Sequence, residues 1–163
     1  MRILAIVTAL LGGLVIFAAA ASAQPVGTKQ EIGRGFSAYS TTKTDTVPLE
    51  GDQALLHTHD WGLFFTDDPA SLLNQSRYDC FGTHLINSEG ESLGGRGYCA
   101  GIAANGDLWW NRWTGTLTGG DWVFVGGTGK FAFISGGGQW SSAAGFALEE
   151  TVTVWEGRWQ WRE

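Results

Sequence analysis

The chain has 163 residues, a length that suits a single domain with one hydrophobic core. Its formal net charge is −6, and the ten Lys and Arg residues are scattered along the chain rather than clustered. Nucleic acids and anionic membrane surfaces are bound through clustered basic residues, so both partners are disfavoured.

The N-terminal segment has the pattern of a secretory signal peptide. Arg2 precedes an apolar run from Ile3 to Ala20, and Ala21-Ser22-Ala23 forms a small-x-small cleavage site. An uncleaved membrane anchor is the alternative, because the apolar run is nearly long enough to span a bilayer. We predict a signal peptide over residues 1–23, secretion to a periplasm or the medium, and no membrane association after cleavage.

Beyond residue 30 the chain alternates short apolar runs with Gly, Asn and Asp, a pattern typical of β-strands joined by tight turns. Residues 24–30 lack this pattern and are expected to form a flexible segment before one domain at 31–163. The best candidate for helix is a turn or two at 69–73. Eight strands are predicted, near 31–42, 54–65, 77–87, 96–103, 107–117, 121–126, 131–135 and 147–161.

Several turns predict hairpins. Asn105-Gly106-Asp107 favours a type I′ turn, and similar turn chemistry occurs at 87–90 and 118–121. Consecutive hairpins give an antiparallel meander, and eight strands can close without exposed edges. The predicted fold class is therefore all-β: an eight-stranded antiparallel β-barrel, closed or nearly closed. A jelly-roll sandwich is the alternative.

Cys80 and Cys99 are the two cysteines of the chain, and in a secreted protein an even number predicts one disulfide. A redox or metal pair is the alternative, although the spacing fits neither a CxxC site nor a zinc cluster. His57 and His59 match the opening of the cupin metal motif. Leu63 and Phe64 stand where its glutamate belongs, so no metal or cofactor is predicted.

No group of residues indicates a catalytic site. The acid pairs Asp67-Asp68 and Glu149-Glu150 consist of adjacent residues that point apart on a strand, and no serine lies in a Gly-x-Ser-x-Gly elbow. Gly126–Lys130 lacks the spacing and the following helix of a phosphate-binding loop.

Six of the nine tryptophans lie in two predicted strands, at positions 109, 110, 113, 155, 159 and 161. These rings either fill the barrel interior, form a stacking platform for a sugar or an aromatic ligand, or belong to an oligomer interface. All three interpretations remain open from sequence alone.

The segment Trp122–Phe131 resembles a strand and Gly-Gly-Thr-Gly-Lys-aromatic turn of the allene oxide cyclase barrel-like superfamily, which includes dirigent proteins and small secreted bacterial proteins. The bacterial members are further suggested by the motifs at 78–82, 97–99, 105–107, 113–115 and 134–140. The resemblance implies an eight-stranded barrel with a mostly apolar interior, which holds a small hydrophobic substrate in the plant members. It also implies that homo-oligomers can form through the barrel walls.

The predicted function is non-covalent binding of a small apolar or aromatic molecule in the barrel. The expected lining residues are Trp109, Trp113, Phe124, Phe133, Trp155 and Trp159, with Arg112 or Tyr98 as the polar anchor. One alternative is a cyclase- or dirigent-like enzyme that steers a reactive intermediate, which requires an ionisable residue in an open lumen. The other is a surface-interaction protein that uses exposed tryptophans.

Overall fold

The computed structural model describes residues 27–147 and 150–162, so the predicted signal peptide over residues 1–23 lies outside the described residues. The described chain forms eight strands and one short 3₁₀-helix at Gly129–Phe131. The strands are β1 (Thr28–Pro48), β2 (Gln53–Thr66), β3 (Ser76–Asn87), β4 (Ser92–Ile102), β5 (Leu108–Gly115), β6 (Gly119–Gly127), β7 (Ser135–Ala147) and β8 (Glu150–Arg162).

The eight strands close into one barrel in chain order, which confirms the predicted fold class and excludes the jelly roll. Each strand pairs antiparallel with its neighbours, and β8 pairs with β1 over thirteen residue pairs, from Thr28↔Arg162 to Ser40↔Glu150. Each of the eight described strands has a hydrogen-bonded neighbour on both sides, as closure requires. Among the described residues, no helix is long and apolar enough to cross a membrane.

The two ends of the barrel differ because successive strands run in opposite directions. The connections after β2, β4 and β6 lie at one end, which we call the closed end. Leu73 and Phe131, from two of these connections, are at most 1 % exposed and belong to the hydrophobic core with Ile134 and Trp159. The connections after β1, β3 and β5 lie at the other end, which we call the open end. The core therefore sits at the closed end.

Glycines within the strands make room for the interior tryptophans. Side chains added at Gly101 and Gly33 would overlap the rings of Trp109 and Trp159, respectively. A strand residue with a Cβ at either position would displace the ring, so these glycines allow large indoles to lie flat on the barrel wall.

The seventh strand was predicted wrongly. Residues 131–135 were expected to form it, but Phe131 closes the 3₁₀-helix, in which its N–H donates to the Thr128 carbonyl, and β7 begins at Ser135. The glycine run Gly136–Gly138 consequently lies inside a strand rather than in a turn. There the backbones of β6 and β8 leave no space for a Cβ.

Three local predictions also need correction. Gly106 has a φ of 87° while Asn105 does not have a positive φ, so that hairpin uses a type I turn followed by a left-handed glycine instead of type I′. Residues 69–73 form turns without a helix. β1 begins at Thr28, so residues 28–30 of the expected flexible segment are paired with β8.

Candidate functional site

A cavity of about 450 Å³ lies inside the barrel and extends toward the open end. This volume falls in the range of small-molecule sites. Four lining residues come from the halves of their strands nearer the open end: Thr41, Thr58, Ser142 and Thr151. A fifth, Leu117, lies in the connection between β5 and β6 at that end. The packed core closes the opposite end, so a molecule would enter between the hairpins of the open end.

Aromatic side chains form much of the cavity wall: Phe64, Trp109, Trp113, Trp122, Trp140 and Trp155. Phe64 and Trp155 stack with their ring centres 4.1 Å apart, and Trp113 meets Trp140 edge-on at 6.4 Å. These contacts hold flat ring surfaces in place, which suits them to contact a planar ligand.

Polar side chains are concentrated on the part of the wall formed by β8, β1 and β2: Ser37, Tyr39, Thr41, Thr58, Asp60, Thr151 and Thr153. Strand alternation explains this, because odd positions of β1 and β8 and even positions of β2 face inward. The cavity therefore combines an aromatic side with a side rich in hydroxyl groups.

Asp60 is the one carboxylate among the described cavity-lining residues. The Thr41 hydroxyl donates to Asp60 Oδ1 at 2.7 Å. Burial raises the pKa of Asp60, and hydrogen bonds from Thr41 and Thr58 oppose this in part. The carboxyl group is thus more easily protonated than an exposed aspartate.

The other titratable groups of the cavity are uncharged near neutral pH. Burial raises the pKa of Tyr39 and of Tyr78, and the neighbouring Asp60 raises both further. Burial lowers the pKa of His84, whose Nδ1 lies 3.2 Å from the Ser92 hydroxyl. Asp60 is the remaining source of charge in this part of the described structure.

The predicted disulfide is confirmed and forms part of the cavity wall. Cys80 and Cys99 lie opposite each other on β3 and β4, with their Cα atoms 4.0 Å apart. Asp60 pairs with Cys80, and Cys99 pairs with Asn111. The carboxylate and the amide therefore flank the disulfide in one cross-strand row.

Four buried polar atoms of cavity-lining residues have no hydrogen-bond partner within the described structure. They are the indole nitrogens of Trp109, Trp140 and Trp155 and the Oδ1 atom of Asn111. An unpaired buried donor or acceptor costs about 1–3 kcal/mol. These atoms are shielded from the open cavity, and Trp109 Nε1 lies against Gly101 of the barrel wall.

Three residues of the predicted binding set line the cavity: Trp109, Trp113 and Trp155. Phe124 and Trp159 are buried in the core instead, with ring centres 6.5 Å apart. They support the aromatic wall from the closed end and do not reach the cavity.

Tyr98, Arg112 and Phe133 lie on the outside of the barrel, although they were expected to line the cavity. Tyr98 is 50 % exposed and lies opposite Arg112 on the outer face. Both precede inward-facing residues by one position, so alternation turns them outward. Phe133 is 64 % exposed in the connection before β7, under the Arg162 guanidinium at 4.5 Å.

The expected binding set did not include six polar cavity residues: Tyr39, Thr41, Asp60, Tyr78, His84 and Asn111. One signal for Asp60 was available. Asp60 lies on the same face of β2 as Phe64, whereas His57 and His59 lie on the opposite face. His57 contacts the Thr83 hydroxyl at 2.8 Å, and His59 Nε2 lies 3.5 Å from Asp79. The described residues contain no group of three or more His, Cys, Asp or Glu positioned to hold a metal.

No protein-family profile and no curated protein sequence matches the chain. Solved structures do match the fold. The pterocarpan synthase dirigent protein GePTS1 aligns with a TM-score of 0.56 and 14% identity, over 83% of this chain and 90% of that one. The pterocarpan synthase dirigent protein PsPTS1 aligns with a TM-score of 0.50 and 13% identity, over 84% and 97%. This chain therefore shares the barrel fold of these dirigent proteins.

Proposed function

We propose that this protein binds a small aromatic molecule non-covalently inside its barrel. The cavity is the observation that carries the proposal: it has the volume of a small-molecule site and is lined by five tryptophans, Phe64 and two tyrosines. The hydroxyl groups of Ser37, Thr41 and Thr151 on the opposite wall favour a ligand with polar atoms as well as a ring. The disulfide is typical of proteins in oxidising compartments, which agrees with the expected secretion.

Native mass spectrometry of the protein, expressed with secretion so that the disulfide forms, tests this proposal. We expect an organic adduct that an organic extraction removes. Thr58→Trp, which adds bulk inside the cavity, should abolish the adduct. Thr114→Trp, which adds the same bulk on the exposed face of β5, should retain it. An adduct that persists in the Thr58 variant, or a wild-type protein without adduct, would contradict binding in the cavity.

A second candidate is the steering of a reactive intermediate, as in the dirigent proteins that share the fold. The favouring observation is Asp60, an ionisable group inside an open cavity. Its carboxyl group could donate a proton to a bound molecule and regain one from water, while the aromatic walls fix one conformation. This role predicts that Asp60→Asn retains binding of the extracted ligand and loses its conversion, as followed by chiral chromatography. Unchanged conversion would exclude an acid role for Asp60.

Interaction through surface tryptophans has less support. Trp61 and Trp110 are exposed, whereas the other seven tryptophans are buried or half-buried in the cavity wall and the core. Two exposed rings on β2 and β5 do not form the tryptophan cluster that this alternative expects.

A further inference from the structure

The charge distribution of the cavity is one-sided. Asp60 lines it from β2, and the titratable groups that face Asp60 are Tyr39 from β1 with Tyr78 and His84 from β3. None of the described side chains lining the cavity is a lysine or an arginine. Among the described cavity-lining side chains, an ionised Asp60 carboxylate has no cation to compensate for its lost hydration; the charge interaction it receives comes from His59 on the outer face of β2.

The surrounding groups also favour a positive charge. Aromatic faces attract cations, and indoles do so most strongly. Five indoles and Phe64 line the same cavity as Asp60. Asn111 Oδ1, an acceptor without a partner, lies in the same cross-strand row on the far side of the disulfide. An ammonium group has donors and no acceptor, so it complements a carboxylate that accepts hydrogen bonds.

We propose that the cavity selects an organic amine, whose ammonium group pairs with Asp60 and whose aromatic ring packs against the indoles. This inference rests on the proposed binding in the barrel and adds the chemical class of the ligand. The amine supplies the countercharge that the cavity wall lacks, and a neutral molecule of the same shape does not.

Calorimetry with three indole probes tests the proposal. Tryptamine carries an ammonium, tryptophol a hydroxyl and indole propionate a carboxylate on otherwise similar frames. For the wild-type protein we expect tryptamine to bind about tenfold or more tightly than tryptophol, which corresponds to about 1.4 kcal/mol. Indole propionate should bind more weakly than both.

Asp60→Asn should remove the preference for tryptamine and leave the affinity for tryptophol within about twofold. Asp121→Asn is the matched control, because Asp121 is exposed on β6 and its carboxylate accepts a hydrogen bond from Gln139, away from Asp60. It removes the same formal charge from the protein without altering the cavity, so the preference should persist.

Proton release gives a second readout that needs no variant. Because an ammonium stabilises the ionised carboxylate, tryptamine binding near the pKa of Asp60 should release protons to the buffer, and tryptophol binding should release none. Equal affinities of tryptamine and tryptophol would overturn selection of an amine while leaving binding in the barrel intact. Failure of all three probes, together with a protein that carries no adduct, would overturn both.

Discussion

The indole ring of Trp113 reaches across β4 and covers Gly82 of β3, where a Cβ atom would overlap ring atoms Cζ2 and Cη2. Between them lies Gly97 of β4, which pairs with both Gly82 and Trp113 and would also meet the ring if it carried a side chain. The shape of the cavity at this level thus depends on two residues that have no side chain.

Gly82→Ala should therefore force Trp113 away from the wall and into the cavity. We expect a loss of about 1–3 kcal/mol in the free energy of unfolding, as for other overpacked sites, together with weaker binding of any cavity ligand. Urea denaturation gives the first quantity. Adding Trp113→Phe should recover part of the stability, because the smaller ring leaves space for the methyl group. Strictly additive effects of the two substitutions would contradict the proposed contact.

The disulfide should contribute substantially to stability. Its two cysteines are separated by 19 positions in sequence, and a loop of this size corresponds to about 3 kcal/mol in the chain-entropy account. The double variant Cys80→Ala/Cys99→Ala should lower the urea midpoint accordingly. Reduction of the wild-type protein should produce a similar decrease and should not affect the double variant. A wild-type midpoint unchanged by verified reduction would contradict this assignment.

Asp60 should make stability fall as pH rises. Burial raises its folded pKa above the ordinary value of 3.8, so the folded state binds more protons than the unfolded state between the two values. The free-energy penalty for burying the ionised carboxylate is absent below the unfolded pKa and complete above the folded pKa. The gain in Tm caused by Asp60→Asn should therefore be larger at about pH 8 than at about pH 4. The same trend in the Asp121→Asn control would point to net charge as the cause.

Two phenylalanines near the closed end provide a matched test of the core. Phe131 is fully buried, whereas Phe133, two positions later, is 64 % exposed. Phe131→Ala should cost about 3–5 kcal/mol in the free energy of unfolding, and Phe133→Ala about 0.5 kcal/mol. Chemical denaturation measures both. Equal losses would mean that the connection before β7 does not close the barrel as described.

Much of the fold was predictable because its signals are local. Period-two alternation and glycine turns are properties of neighbouring residues, so they identified seven of the eight strands and the antiparallel order. The seventh strand was misplaced because Gly136–Gly138 has the composition of a turn. Only the close approach of β6 and β8 explains why that segment is extended.

The candidate site shows where sequence reasoning stops. Trp109 and Trp113 were correctly expected to line the cavity, yet sequence alone does not say which residues of the neighbouring strands share that inner face. The polar anchors were therefore sought at Tyr98 and Arg112, which are outside, while Asp60 inside was overlooked.

The sequence alone determined seven of the eight strands, the positions of the hairpins and the pairing of the two cysteines, since these follow from backbone preferences and from the number of thiols. The pairing of the strands into a closed barrel determined the remaining features of the site. It brought Asp60, the disulfide and Asn111, which are remote in sequence, into one row across four strands. It also determined which aromatic rings line a cavity and which fill a core, because that depends on how eight strands curve around a shared interior.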